Sequence, residues 1–186
     1  ALTATGGTHI QAGIKQAAER LYGSSAAHKT IVLLGDGAAT YSYEIYHPKN
    51  YMEDWQTSGL YLERRTNSSV PLSEFNYSRT VGNGNAEHYL FETDRWNRVK
   101  YYYRNGASAV AEAGFAKAKG YAIYSIALSA GTEGEWTLEN IAEPGNYYST
   151  PDPTSLEAIF LEIAGRIKYA ARDAVVTDPI GDMYYI

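Results

Sequence analysis

The stretch Thr30-Ile31-Val32-Leu33-Leu34, closed by Gly35-Asp36-Gly37, constrains the fold more than any other part of the chain. Its five β-branched or aliphatic residues are too few for a buried helix. They also lack the alternation of a half-exposed strand. Such a run predicts a strand buried on both faces of a parallel sheet, ending in a glycine-flanked loop.

The flanking segments read as helices and strands in alternation. A helix is expected at about 8–22, with Ile10, Ile14, Ala17, Ala18 and Leu21 at helical spacing and Gly23-Ser24-Ser25 as its stop. A second, alanine-rich helix is expected at 107–119, stopped by Gly120, and then a strand at 121–128 with Ile123, Ile126 and Leu128 turned to the core. A short helix at 137–142 and a short strand at 146–149 follow, separated by Pro144-Gly145. Asp152-Pro153 opens the last helix with a capping carboxylate and a proline in the first turn. Leu156, Ile159, Phe160, Ile163 and Ile167 form that helix's apolar stripe. The order implies an α/β fold, doubly wound, with a mainly parallel sheet flanked by helices. Three strands make a thin sheet for three good helices, so a first strand is expected upstream of Ala1.

Residues 41–105 have another texture. They hold ten of the 18 tyrosines, with Trp55, Trp96, Phe75 and Phe91, and eight acidic side chains against eight basic ones. Gly82-Asn83-Gly84-Asn85 marks a tight turn. A stretch this long is structured or functional in its own right. The expected division is an α/β domain over 1–40 and 106–172, an inserted arm-like module over 41–105, and an exit strand or linker over 173–186. The tyrosines suit the core of the insertion, since they favour strands, and equally a recognition surface of large contact area.

Composition removes several function classes. The net charge of −5 leaves no cation surplus for a phosphate backbone, which argues against nucleic acid as partner. Zero cysteines exclude disulfides, thiolate metal sites and cysteine nucleophiles. No apolar run reaches the roughly 18–20 residues needed to span a bilayer, so no membrane contact is expected of this segment.

Two loops carry candidate chemistry: Thr5-Gly6-Gly7-Thr8-His9-Ile10 at a helix start and Gly35-Asp36-Gly37 at a strand end. Ligands of open α/β sheets gather where such loops meet, at the carboxyl ends of the strands. The Thr8 hydroxyl and the Asp36 carboxylate are hard donors suited to Mg²⁺, Ca²⁺ or Mn²⁺. Each also has a plain structural reading. Thr8 and Gln11 fit a capping box. Asp36-Gly37 fits a hairpin turn, with Thr40 to Tyr46 alternating like a partner strand. No lysine follows the glycines as a phosphate-binding loop requires. His9, His28, His47 and His88 are scattered and read as solvated. Glu133, Glu135, Glu139 and Glu143 read as a solvated acidic face.

Thr5-Gly6-Gly7-Thr8-His9-Ile10-Gln11-Ala12-Gly13-Ile14, followed some 20 residues later by Ile31-Val32-Leu33-Leu34-Gly35-Asp36-Gly37, resembles the von Willebrand factor type A domain, a Rossmann-like fold. Gly120 to Leu128 resembles that family's next core strand, and Tyr147 to Phe160 its last strand and helix. The resemblance implies a metal-ion-dependent adhesion site in which Thr8 and Asp36 are ligands, with Mg²⁺ as the expected ion. The family's Asp-x-Ser-x-Ser motif is absent: Asp152-Pro153-Thr154-Ser155 lies at the wrong place, and the motif is expected before Ala1 with the missing strand. An aromatic insertion after the aspartate loop resembles the tip adhesins of Gram-positive pili, as does the ending Asp173 to Asp182.

The resemblance implies a non-enzymatic adhesion module, extracellular and associated with cell wall or pilus. Its implied partners are a host extracellular matrix or cell-surface protein and, through neighbouring domains, pilus backbone subunits. No wall-sorting signal is present, as expected of a fragment. Two alternatives stand beside it. A Mg²⁺-dependent hydrolase would need a further acid or base at a strand end, where Leu128-Ser129-Ala130-Gly131 and Tyr148-Ser149-Thr150 offer no charge. A structural spacer would carry a vestigial metal site.

Overall fold

A computed structural model of the chain describes residues 6–59, 61–92 and 99–172. Thr5 of the glycine loop, Trp96 of the insertion and the exit segment expected over 173–186 lie outside them. Helix α1 (Ile10–Tyr22) leads into β1 (Lys29–Gly35). After the long segment that follows come α2 (Asn105–Ala118), β8 (Tyr121–Leu128), α3 (Gly131–Ile141), β9 (Tyr147–Thr150) and α4 (Leu156–Arg172). β1, β8 and β9 form a parallel sheet in that order, with Ile31 beside Ile123 and Ile126 beside Tyr148.

Helices cover both faces of β8. Tyr121 and Ile123 pack with Ile10 and Ile14 of α1 and with Ala109, Ala113 and Ala116 of α2. The small alanines let α1 and α2 lie close to the sheet and to each other. On the other face Tyr124 and Ile126 meet Ile163 of α4.

β1 departs from expectation. Ile31 is buried under α1 and α2, but Val32 is 40% and Leu34 45% exposed. The reason is position: among the described residues β1 is an edge strand, bonded only to β8, and α4 sits over β8 and β9. Phe160, assigned to the α4 stripe, is 42% exposed, whereas Leu156, Ile159, Ile163 and Ile167 pack against Tyr124 and Ile126. The short helix expected at 137–142 is the end of a longer one, Gly131–Ile141, whose start the glycines and glutamates concealed.

The segment between β1 and α2 folds into two small sheets. β2 (Tyr41–Ile45) pairs antiparallel with β5 (Phe75–Gly82). β3 (Gln56–Ser58), β4 (Tyr61–Arg65), β6 (Glu87–Glu92) and β7 (Val99–Arg104) form a mixed sheet in the order β3-β4-β7-β6. The Gly82-Asn83-Gly84-Asn85 turn therefore joins strands of different sheets. Gly82 and Gly84 take φ of 141° and 90° there, a region that costs glycine little. Ile45, Val70, Phe75 and Tyr103 give this arm its own core, packed on Ala111 of α2. Asn105 at the start of α2 is fully buried and pins the arm to the helix. Its Oδ1 accepts from Ser42 Oγ, and its Nδ2 donates to the carbonyls of Asn85 and Ala86.

Candidate functional site

The Thr8 loop and the Asp36 loop meet at the carboxyl edge of the β1-β8-β9 sheet. Thr8 N donates to Thr40 Oγ1 at 2.7 Å, and Thr8 O accepts from Thr40 N at 2.9 Å and Tyr41 N at 3.1 Å. Thr40 lies four residues beyond Asp36, so the two loops are tied through their backbones. A Cβ on Gly7 would overlap the Tyr41 ring, so only glycine lets the loop come this close. The Asp36-Gly37 turn packs on α3, where Gly134 has no room for a Cβ beside Gly37 C and O.

Neither plain structural reading of these residues holds. The helix cap is His9, not Thr8: His9 Nδ1 accepts from Ala12 N at 3.2 Å. An accepting Nδ1 puts the ring proton on Nε2, which is buried without a partner. Burial lowers the His9 pKa and keeps the ring neutral. Gln11, the other half of the supposed box, is fully buried and reaches away from the cap. Its Oε1 accepts from Tyr43 N at 2.9 Å and its Nε2 donates to Glu112 Oε2 at 3.3 Å. The hairpin fails as well, since β2 bonds to β5 and β1 to β8. This leaves the Thr8 hydroxyl, on a half-buried residue, and the exposed Asp36 carboxylate without hydrogen-bond or ion-pair partners among the described residues. Two free hard oxygens on neighbouring loops fit a hard divalent cation. They do not complete a site, and no group of three or more His, Asp or Glu side chains able to hold a metal occurs among the described residues.

A polar cleft lies close by, between the arm and the start of α3. It has a volume of about 550 Å³ and is lined by Glu53, Gln56, Arg65, Glu87, Arg104 and Glu133 among others. Two arginines organise it. Arg104 lies 3.4 Å from the centroid of the Trp136 ring, bonds Glu133 through Nε and Nη2, and pairs with Glu53 through Nη1. Arg65 bonds Glu87 at 2.7 Å and Glu63 at 3.0 Å. Glu133 is thus paired rather than merely solvated. Glu143 also has partners, Ile123 N and Asn146 Nδ2. His88 is likewise no solvated side chain: its ring stacks on Tyr103 at 5.0 Å and burial lowers its pKa. Sequence patterns gave no sign of Arg104 or Arg65, because their carboxylate partners come from the arm and α3 rather than from helical spacing.

No protein-family model matches the chain. It is 30% identical over 220 aligned residues to the minor fimbrium subunit Mfa5 of Porphyromonas gingivalis, covering 96% of this chain and 18% of that protein. The chain therefore spans under a fifth of that relative's length. It is similar to the crystal structure of the vWF domain of the type V pili tip protein Mfa5, with TM-score 0.78 and 26% identity, over 96% of this chain and 73% of that one. It also shares its fold with the pilus adhesin SpaC of Lactobacillus rhamnosus GG, with TM-score 0.63 and 21% identity, over 88% of this chain and 19% of that one. P. gingivalis is Gram-negative, so the likeness is not confined to the Gram-positive pili that the sequence suggested.

Proposed function

We propose, on the premise that this chain is a von Willebrand factor A-type domain like those of pilus tip proteins, that it is an adhesion module of an extracellular pilus. Thr8 and Asp36 would help hold a divalent cation, Mg²⁺ first among Mg²⁺, Ca²⁺ and Mn²⁺. A cation bound there supplies the largest local charge, to which an acidic side chain of a host extracellular protein is attracted. The chain's own residues do the rest. Thr40 and Tyr41 hold the Thr8 backbone and so position the residue that carries the hydroxyl, α3 fixes the Asp36 turn, and the aromatic arm beside them selects what can approach. Pilus subunits are the expected partners of neighbouring domains. No catalytic step belongs to this reading.

One observation carries it: both oxygens are released from the local roles that usually occupy such residues. Calorimetric titration of the whole protein with Mg²⁺, and binding to a panel of immobilised extracellular matrix proteins with and without chelator, test it. Thr8→Ala and Asp36→Ala are expected to abolish cation binding and leave the far-UV spectrum unchanged. Adhesion that persists unchanged in chelator would overturn the cation bridge.

A further inference from the structure

The Thr8 loop is held by the arm as much as by its own helix. Besides the two backbone bonds from Thr40 N and Tyr41 N to Thr8 O and the bond from Thr8 N to Thr40 Oγ1, the His9 ring lies 4.6 Å from the Tyr43 ring. Gln11, three residues beyond Thr8, accepts from Tyr43 N. β2 is thereby stitched to the Thr8 loop and the first turn of α1 through Tyr41 and Tyr43. A second line of contacts runs deeper. Glu112 Oε2 on α2 accepts from Gln11 Nε2 at 3.3 Å and from Tyr77 Oη on β5 at 3.0 Å. Tyr77 meets Tyr43 edge-on at 4.9 Å, and Tyr103 Oη donates to Tyr43 O at 2.7 Å.

Gln11 is fully exchanged out of solvent and Glu112 is 6% exposed. A buried amide and a buried carboxylate are costly unless satisfied, and each finds partners only if α1, α2, β2 and β5 keep their relative places. Apolar side chains could slide against one another here, but a directional network cannot. We propose that Gln11 and Glu112 are positioning residues that couple the Thr8 loop to the arm. A ligand that moves or orders β2 and β5 shifts the first turn of α1, and an ion loaded at Thr8 orders the arm in return, since coupling between sites is reciprocal. The ion half of this statement rests on the adhesion reading; the coupling of arm to α1 does not.

Amide hydrogen exchange on the whole protein tests the relay, with and without Mg²⁺. In the wild type, Mg²⁺ is expected to slow exchange in Tyr41–Ile45 and Phe75–Gly82 about fivefold or more, the lower end of ordinary coupling between sites. In Gln11→Met the protection of Phe75–Gly82 is lost, while protection at the Thr8 loop and at Tyr41, which Thr8 O holds directly, remains. Equal protection of Phe75–Gly82 in both proteins overturns the relay. If Mg²⁺ changes nothing in the wild type, the ion reading fails, and the metal-free comparison decides the relay. There Tyr77→Phe, which removes one hydroxyl and keeps the ring, is expected to speed exchange at Ala12, Gly13 and Ile14 by a similar factor and to leave α4 unchanged. Unaltered exchange in the first turn of α1 overturns the relay even if Gln11→Met fails to fold.

Discussion

Adding one methyl group at Gly134 tests both the packing of α3 and the candidate site. A Cβ there would lie 2.8 Å from Ala130 Cβ and 2.9 Å from Gly37 C and O, where ordinary contact begins near 3.4 Å. About half an ångström of movement must come from backbone, not from a flexible side chain. Gly13, Gly114 and Gly165, in α1, α2 and α4, have nothing within 4 Å of the same methyl. At those three positions Gly→Ala gains only helix propensity, about 0.5–1 kcal/mol. At Gly134 the same gain is opposed by overpacking of about 1–3 kcal/mol, for a net loss of up to about 2 kcal/mol. Unfolding free energies from urea denaturation should therefore place Gly134→Ala below Gly114→Ala by about 1–3 kcal/mol, with the three unhindered variants above the wild type. The displaced atoms belong to Gly37, next to Asp36, so Gly134→Ala should also weaken Mg²⁺ binding while Gly114→Ala leaves it alone. A Gly134→Ala protein as stable as Gly114→Ala would refute the close seat of α3 on the Asp36 loop.

Two further outcomes follow from the arm. Arg104, 11% exposed, joins Glu53 of the arm to Glu133 of α3 and stacks on Trp136. Allowing for the partial exposure of both carboxylates, Arg104→Ala should cost about 2–3 kcal/mol by chemical denaturation, and Arg104→Lys should recover less than half, lacking the guanidinium fork. A loss within experimental error of zero would mean the clasp is ornamental. Burial raises the pKa of Glu112, and the hydrogen bonds from Tyr77 and Gln11 and the charge of Lys15 offset it only in part. A carboxyl whose folded pKa lies above its unfolded one stabilises below the unfolded pKa, and that contribution is lost as pH rises through the folded pKa. Glu112→Gln keeps an acceptor for Tyr77 and Gln11, so it should melt above the wild type at neutral pH and with it in acid. Parallel melting curves from about pH 4 to 8 would contradict the burial of an ionised Glu112.

The order of helices and strands on either side of the 41–105 segment and the α/β class were legible in the sequence. These follow from local rules: apolar spacing along α1 and α4, the unbroken Thr30–Leu34 run, glycine stops at Gly23 and Gly120, and the Asp152-Pro153 start before α4. Which partner each group takes was decided only by the tertiary structure. His9 caps α1 because Thr8 is drawn off by Thr40 and Tyr41, residues 32 and 33 positions away. β2 pairs with β5, and β4 runs parallel to β7, because strand edges bond to whichever edge the completed chain brings alongside. Val32, Leu34 and Phe160 read as core by pattern, yet burial depends on whether another element arrives to cover them, and α4 packs on β8 and β9. Periodicity records which face is apolar. What lies against that face is a long-range fact, set by non-local contacts such as those that tie Thr8 to Thr40 and Tyr41.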